Sequence, residues 1–373
     1  ILYDIFCYYF IKQKYYMKKK ILVVGFGWGS VGFLKRIDTN LYDVEVVSKN
    51  RSFLYTPLLA QNVKNNTNLL VDLNEINANI SLHEKQVNNI NFHENKVFLE
   101  DGEQINYDYL VLAHGAVANT FNIPGVKEHC CFLKSNEDAN KIRGLLKALP
   151  SNSKIAVIGC GLTGSEVVGA LIDYHKFQVY AIDAVTRPLM MFDSKLGNFA
   201  KTLWESDGVK VHMNHMVSRI EKNKIHFKDQ IPIDFDIALW CGGIQMSPLT
   251  RMIMNALNMK NNKGIEVDDF LKVNQTNNVW ALGDCAYTGN PPTAQVAYQQ
   301  GNYLVKHFNT KFKKQDAFKF QNKGQIGYVG NRTSVYQNQY FKSSGNLVYY
   351  LNRLIHVMNA VTYRQMKNFS KTF

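Results

Sequence analysis

The chain has 373 residues, 46% hydrophobic and 20% charged, with six cysteines and a formal net charge of +13. That supplies apolar material for two or three packed domains and excludes a disordered polymer or a disulfide scaffold. No stretch approaches the roughly 18 uninterrupted apolar residues of a spanning helix, which excludes a polytopic membrane protein.

The segment Ile1–Tyr16 is rich in Tyr, Phe and Ile without a clear period, and the first Met is Met17. It reads as a leader or upstream sequence, disordered and outside the fold. Structure is expected from Lys20. The apolar run Ile21–Val24 predicts a strand, Gly25-Phe26-Gly27-Trp28-Gly29-Ser30 a tight turn, Phe33, Leu34 and Ile37 a helix, and Asp43–Val47 a second strand. Val97–Leu99 before Asp101-Gly102 predicts a hairpin strand. The opening grammar then returns. Lys154–Ile158 predicts a strand, Gly159-Cys160-Gly161-Leu162-Thr163-Gly164 the turn, and Val167, Val168, Leu171 and Ile172 the helix. Gln178–Ile182 predicts the next strand, and Asp183 closes it.

A helix N-terminus carries unpaired N–H groups and the positive end of a dipole, so it attracts a pyrophosphate. Glycines let the backbone approach the phosphates. Each loop here follows a strand and precedes a helix, the context that gives the pattern meaning. The second loop is complete, and the Asp183 carboxylate suits a ribose diol and repels a 2′-phosphate, which favours NADH over NADPH; nearby Arg187 leaves NADPH open. The first loop has Ser30 at the third glycine place and Ser48, not an acid, at the strand end.

The first loop, with Phe33-Leu34-Lys35-Arg36-Ile37-Asp38, resembles that of the eukaryotic type II NADH dehydrogenases (alternative NADH:quinone oxidoreductases). In that family a Ser at the position of Ser48 is itself the pattern. Phe53-Leu54-Tyr55-Thr56-Pro57-Leu58-Leu59 resembles the family's flavin loop, and Tyr107–Ala116 the strand closing over the flavin. Val279–Asp284 resembles the late flavoprotein motif. Pro292-Thr293-Ala294-Gln295-Val296-Ala297-Tyr298-Gln299-Gln300-Gly301 is similar to the AQxAxQ quinone-site pattern. The resemblance covers residues 18 to about 330.

The resemblance implies an α/β fold with two Rossmann-like dinucleotide-binding domains in a glutathione-reductase-like arrangement and a short C-terminal membrane-surface helical region. Residues 17–124 with 245–320 would form the FAD domain, 125–244 the NADH domain and 321–373 the membrane-associating region. FAD would be held non-covalently by Gly25, Gly27, Trp28, Gly29, Ser30, Ser48, Thr56, Pro57, Leu58, Ala113, His114, Gly115, Gly283, Asp284, Gln295, Val296 and Ala297. NADH would meet Gly159, Gly161, Leu162, Thr163, Gly164, Glu166, Asp183, Cys241, Gly242 and Gly243. Hydride would pass from NADH to FAD N5, and two electrons then to a membrane quinone near Gln295, Gln299 and Gln300. Glu166 would meet the NADH ribose or the nicotinamide amide, and with Gln295 and Gln299 makes up the expected catalytic set. N–H groups where a helix opens near Gln295 and Val296 would face the charge that develops at flavin N1–C2=O. Rival readings are a related flavoprotein with a soluble or sulfur acceptor, and a slow-turnover NADH sensor.

Cys130 and Cys131 are adjacent, no C-x-x-C exists, and no acid series has EF-hand spacing, so no metal site is expected. From Lys306 to Phe373 twelve Lys or Arg face one acid, Asp316. In this tail Leu347, Leu351, Leu354, Met358 and Val361 recur at steps of three and four. An apolar stripe with basic flanks predicts a helix lying on anionic lipid. No nucleic-acid motif accompanies the charge. A homodimer presenting paired tails is compatible with this pattern. The setting implied is the periphery of a respiratory membrane, the mitochondrial inner membrane first.

Overall fold

The computed structural model describes residues 18–313 and 316–372; the expectation for residues 1–16 lies outside them. The elements that carry the site begin with β1 (Lys19–Val24), α1 (Trp28–Leu34), β2 (Tyr42–Ser48), β3 (Ser81–Glu84) and β4 (Tyr109–Leu112). Next come β5 (Cys130–Phe132), β6 (Lys154–Ile158), α2 (Leu162–Ile172), β7 (Gln178–Ile182), β8 (Lys210–His212) and β9 (Ile237–Trp240). The remainder are α3 (Pro248–Ala256), β10 (Val279–Ala281), α4 (Ala294–Asn309), β11 (Gln325–Gly330), β12 (Thr333–Gln337), α5 (Asn346–Met358) and α6 (Tyr363–Thr372).

The chain divides into two compact units. One runs up to Phe53 and takes in Asp72–Ala116 and Met246–Phe320. Its sheet has the order β10-β4-β1-β2-β3, with every pairing parallel. Ile21, Leu22 and Val23 are fully buried, as a central strand covered on both faces requires. This explains the uninterrupted apolar run, and each such side chain contributes about 1.5–3 kcal/mol of burial. The hairpin expected at Val97–Leu99 forms part of an antiparallel meander, Val87–Asn91, Lys96–Leu99 and Gln104–Asn106. Its Val97 and Leu99 share a core with Leu22, Leu110 and Val279.

The second unit comprises Leu54–Val71, Val117–Gln245 and the chain from Gln321 onward. Its sheet order is β5-β9-β6-β7-β8, again all parallel. Three stretches join this unit that the sequence had assigned elsewhere: the loop after Phe53, residues 117–124 and the tail. The loop after Phe53 is tied in where Arg143 donates to the Asn62 and Asn65 carbonyls at 2.9 and 2.8 Å and Tyr174 to the Val63 carbonyl at 3.0 Å. The tail packs β11 on α2, where glycines meet: a Cβ on Gly169 would lie 2.6 Å from the Gly330 amide nitrogen.

Candidate functional site: two glycine cradles

In the first unit, Gly25 follows β1 and its N–H donates to the Val47 carbonyl at 2.8 Å. Its φ of +102° belongs to glycine, and a Cβ there would lie 2.5 Å from the Ala113 oxygen and 2.6 Å from His114 Cα. Gly27 caps α1, with nothing within 4 Å of where its Cβ would stand. Ser30 fits the third glycine place because its hydroxyl donates to the Gly25 carbonyl at 2.7 Å. Trp28 meets Phe53 edge-on at 5.0 Å and Tyr298 at 6.0 Å. Ser48 ends β2, and its oxygen accepts the Asn50 N–H at 3.1 Å. Beyond β4, Ala113, His114 and Gly115 stand beside the loop. His114 Nε2 lies 2.9 Å from Thr250 Oγ1, and burial pushes the imidazole pKa down to about 4. Gly283 opens the late turn that carries Asp284, with φ +71°.

The second unit repeats the design. Gly159 donates to the Ile182 carbonyl at 2.8 Å, and a Cβ on it would lie 2.6 Å from the Cys241 oxygen. Gly161 caps α2 with open space at its Cβ position, and a Cβ on Gly164 would strike the Gly159 oxygen. Leu162 and Thr163 begin α2. Asp183 Oδ2 accepts the Cys160 N–H at 2.6 Å, so one carboxylate oxygen steadies the loop. Gly243 has φ +104°, and Gly242 lies against the Trp240 ring, which would sit 2.8 Å from its Cβ. Both cradles thus offer a side-chain-free loop at the C-terminal edge of a parallel sheet, where dinucleotides bind. The residues present fit FAD and NADH.

Several expected contacts are corrected. Gln300 is 1% exposed: its oxygen accepts the Gly283 N–H at 2.7 Å and its nitrogen donates to Thr288 Oγ1 at 3.2 Å. Its amide braces the late turn and is spent on the protein, not offered to a quinone. The Val296 N–H is taken by Thr293 Oγ1 at 3.2 Å, the N-cap of α4, so it is not the expected donor to the flavin. Glu166 is buried and turned toward β11, its Oε1 3.5 Å from the Tyr328 nitrogen, and not toward the loop mouth. Burial raises its pKa to about 8, opposed by the Tyr328 N–H and by Arg353. Arg187 donates to the Leu189 and Phe192 carbonyls at 2.9 and 2.8 Å and to those of Pro188 and Met190. It is committed to its own turn and is not held for a 2′-phosphate. Thr56, Pro57 and Leu58 form a 3₁₀ turn within the second unit. Gln295 and Gln299 lie half-buried on the first two turns of α4. The five cysteines among the described residues are free thiols; burial raises the Cys130, Cys241 and Cys285 pKa values to about 12, so these three are inert at neutral pH.

The tail helix forms over Asn346–Met358 with an inverted pattern. Asn352 and His356 face inward, His356 Nδ1 3.2 Å from the Tyr55 hydroxyl, while Leu347 is 86% and Met358 73% exposed. Leu351 and Leu354 share the exposed side, but Val361 is buried, so the apolar face ends with the helix. No helix among the described residues is long and apolar enough to cross a membrane.

A family model described as pyridine nucleotide-disulphide oxidoreductase matches residues 19–301. A probable mitochondrial NADH-ubiquinone oxidoreductase of Schizosaccharomyces pombe is 29% identical over 94% of this chain and 80% of its own length. A probable NADH dehydrogenase of Dictyostelium discoideum is 30% identical, covering 88% of this chain and 82% of that protein. For the external alternative NADH-ubiquinone oxidoreductase of Yarrowia lipolytica the identity is 30%, and this chain spans 60% of its length. In fold the chain is similar to NDH2 of Plasmodium falciparum solved with NADH, with TM-score 0.87 and 21% identity over 95% of this chain and 97% of that one. By its glycine cradles and these likenesses, the chain belongs to the pyridine nucleotide-disulphide oxidoreductase family, and within it to the type II NADH dehydrogenases.

Proposed function

We propose that this protein is a non-proton-pumping NADH:quinone oxidoreductase with FAD resident in the first cradle and NADH visiting the second. The balanced reaction is NADH + H⁺ + quinone → NAD⁺ + quinol. Bound FAD supplies a two-electron relay between reductant and quinone. Gly25, Gly27, Ser30, Ala113, Gly115, Gly283 and Asp284 hold the flavin dinucleotide; Gly159, Gly161, Gly164 and Asp183 hold NADH. Gln295 and Gln299 are the amides assigned to the quinone. The observation that carries the reading is the pair of strand–glycine–helix cradles, one ending in Ser48 and the other in Asp183. The acid suits a dissociable NADH, and the Arg187 guanidinium, occupied by carbonyls, gives NADPH no phosphate clamp.

The exposed face of α5, with Tyr340 and Phe341 ahead of it, is assigned to an anionic lipid surface. The mitochondrial inner membrane is the proposed setting, in keeping with the mitochondrial relatives, and a homodimer would pair two such faces. Anaerobic titration decides the activity. NADH should bleach the flavin absorbance, and added ubiquinone or menaquinone should restore it. A flavin reduced by NADH that no quinone reoxidises would defeat this function and favour a soluble acceptor.

A further inference from the structure

A dinucleotide on the second cradle has two halves to place. With its pyrophosphate at the N-terminus of α2 and its adenosine ribose at Asp183, past the end of β7, the other half must leave β6 on the opposite side. The sheet order β5-β9-β6-β7-β8 puts β9 there, with Trp240 level with Ile158. The nicotinamide half therefore passes over Cys241-Gly242-Gly243, the residues that follow β9. This segment is open to solvent: Gly243 is exposed, and Cys241 and Gly242 are half-buried.

The segment is held from below and from one side. The Cys241 N–H donates to the Ile158 carbonyl at 2.7 Å, which continues the β6–β9 ladder. The chain then folds back on the last side chain of its own strand. A Cβ on Gly242 would lie 2.8 Å from two indole carbons of Trp240 and 2.9 Å from its Nε1, so the backbone rests directly on the ring. The indole is itself tethered, since Nε1–H donates to the Asn119 carbonyl at 2.7 Å. The N–H of the same Asn119 donates to the Gly243 carbonyl at 3.0 Å. Asn119 thus closes a ring of contacts from the Trp240 side chain to the end of the glycine segment. Gly243 has φ +104°, a conformation that glycine adopts freely and leaves freely, so the segment needs such a clasp to keep one shape. Trp240 is 5% exposed and shares a core with Ile158 and Tyr180, which makes the platform rigid.

We infer that Trp240 is a positioning residue for the nicotinamide half of NADH, acting through Gly242 and Gly243 and kept in register by Asn119. The inference rests on the reading that the second cradle holds NADH, and adds to it the side chain that sets the height of the floor. Hydride transfer needs the nicotinamide at close range and in one orientation. Two glycines admit the ring but cannot fix it; the tethered indole beneath them does.

The test compares NAD⁺ with ADP-ribose, which lacks the nicotinamide, by titration calorimetry on the purified holoprotein. Wild type should bind NAD⁺ more tightly than ADP-ribose. Trp240→Phe keeps an aromatic ring beneath Gly242 but removes the donor to the Asn119 carbonyl. Its NAD⁺ affinity should fall about tenfold, the scale of one hydrogen bond, while ADP-ribose affinity stays within about twofold of wild type. Gly242→Ala lifts the segment off the indole and should show the same split. It carries the test if Trp240→Phe does not fold. Equal weakening of both ligands, the mark of a general loosening of the cradle, would overturn the inference. So would unchanged affinities in both variants, or a wild type that binds the two ligands equally. A wild type that binds neither would overturn the NADH reading of the second cradle as well, whereas parallel changes in a protein that binds both would overturn this inference alone.

Discussion

Single side chains divide into those that face a ligand and those that hold the loop for one. Asp183 does both, since Oδ2 already accepts the Cys160 N–H. Asp183→Ala should raise the KM for NADH about tenfold or more and lower the melting temperature modestly, because the Cys160 amide loses its acceptor. FAD content should be unchanged; flavin loss on purification would mean that the cradles are assigned backwards. Glu166 carries a pH signature. Its folded pKa, raised to about 8 by burial, means the native state keeps a proton that the unfolded chain loses near 4.5. Stability is therefore lost as pH rises from about 4.5 to about 8 and is flat above, with a cost on the order of 3 kcal/mol by pH 7. Glu166→Gln should remove that slope, so wild type and variant should differ more in melting temperature at pH 8 than at pH 5. Parallel curves would refute the burial account. The orientation of Glu166 was not legible in the sequence: its place in the first turns of α2 suggested the loop mouth, and only the packing of β11 on that helix turns it inward.

Among elements, the decisive contact in the first unit is α1 against α4. A Cβ on Gly301 would strike the Gly29 oxygen and approach the Phe33 nitrogen to 2.8 Å, and one on Gly32 would lie 2.5 Å from the Tyr298 oxygen. The helices cross backbone to backbone, and backbone cannot yield as a flexible side chain does. Gly301→Leu should destabilise the protein by about 3 kcal/mol or more and release FAD, because α1 begins at the first cradle. An unchanged melting temperature would show that the crossing is looser than described. The strands and both glycine turns were legible because a parallel core strand is a continuous apolar run and a cradle is one short motif. Gln300 was not. Its neighbours spell a quinone pattern, but the turn it braces is the Gly283–Cys285 segment, which only the fold brings to α4.

For the molecule as a whole, charge and the inverted tail act together. The sequence pI is about 9.3, and the basic residues concentrate toward the C-terminal end beside an exposed apolar helix face. Leu347→Glu with Leu354→Glu should release the protein from anionic vesicles while leaving NADH-dependent flavin reduction intact, and raising the salt concentration should weaken wild-type binding. Sedimentation with vesicles reads both effects; unchanged pelleting of the double variant would refute the lipid face. Deleting the whole tail is a poorer test, because Phe369 is fully buried against Tyr55 at 4.9 Å. The sequence by itself determined two dinucleotide units, their glycine loops, the acid that distinguishes one from the other and the tail helix, since each is written in neighbouring residues with a period or a short motif. The tertiary structure alone decided where polar groups are spent: Arg187 on carbonyls, Gln300 on a turn, Glu166 beneath a strand, the Trp240 N–H on the Asn119 carbonyl. Those outcomes depend on which distant segments pack together, and hydrogen-bond satisfaction in a buried site is a property of that packing.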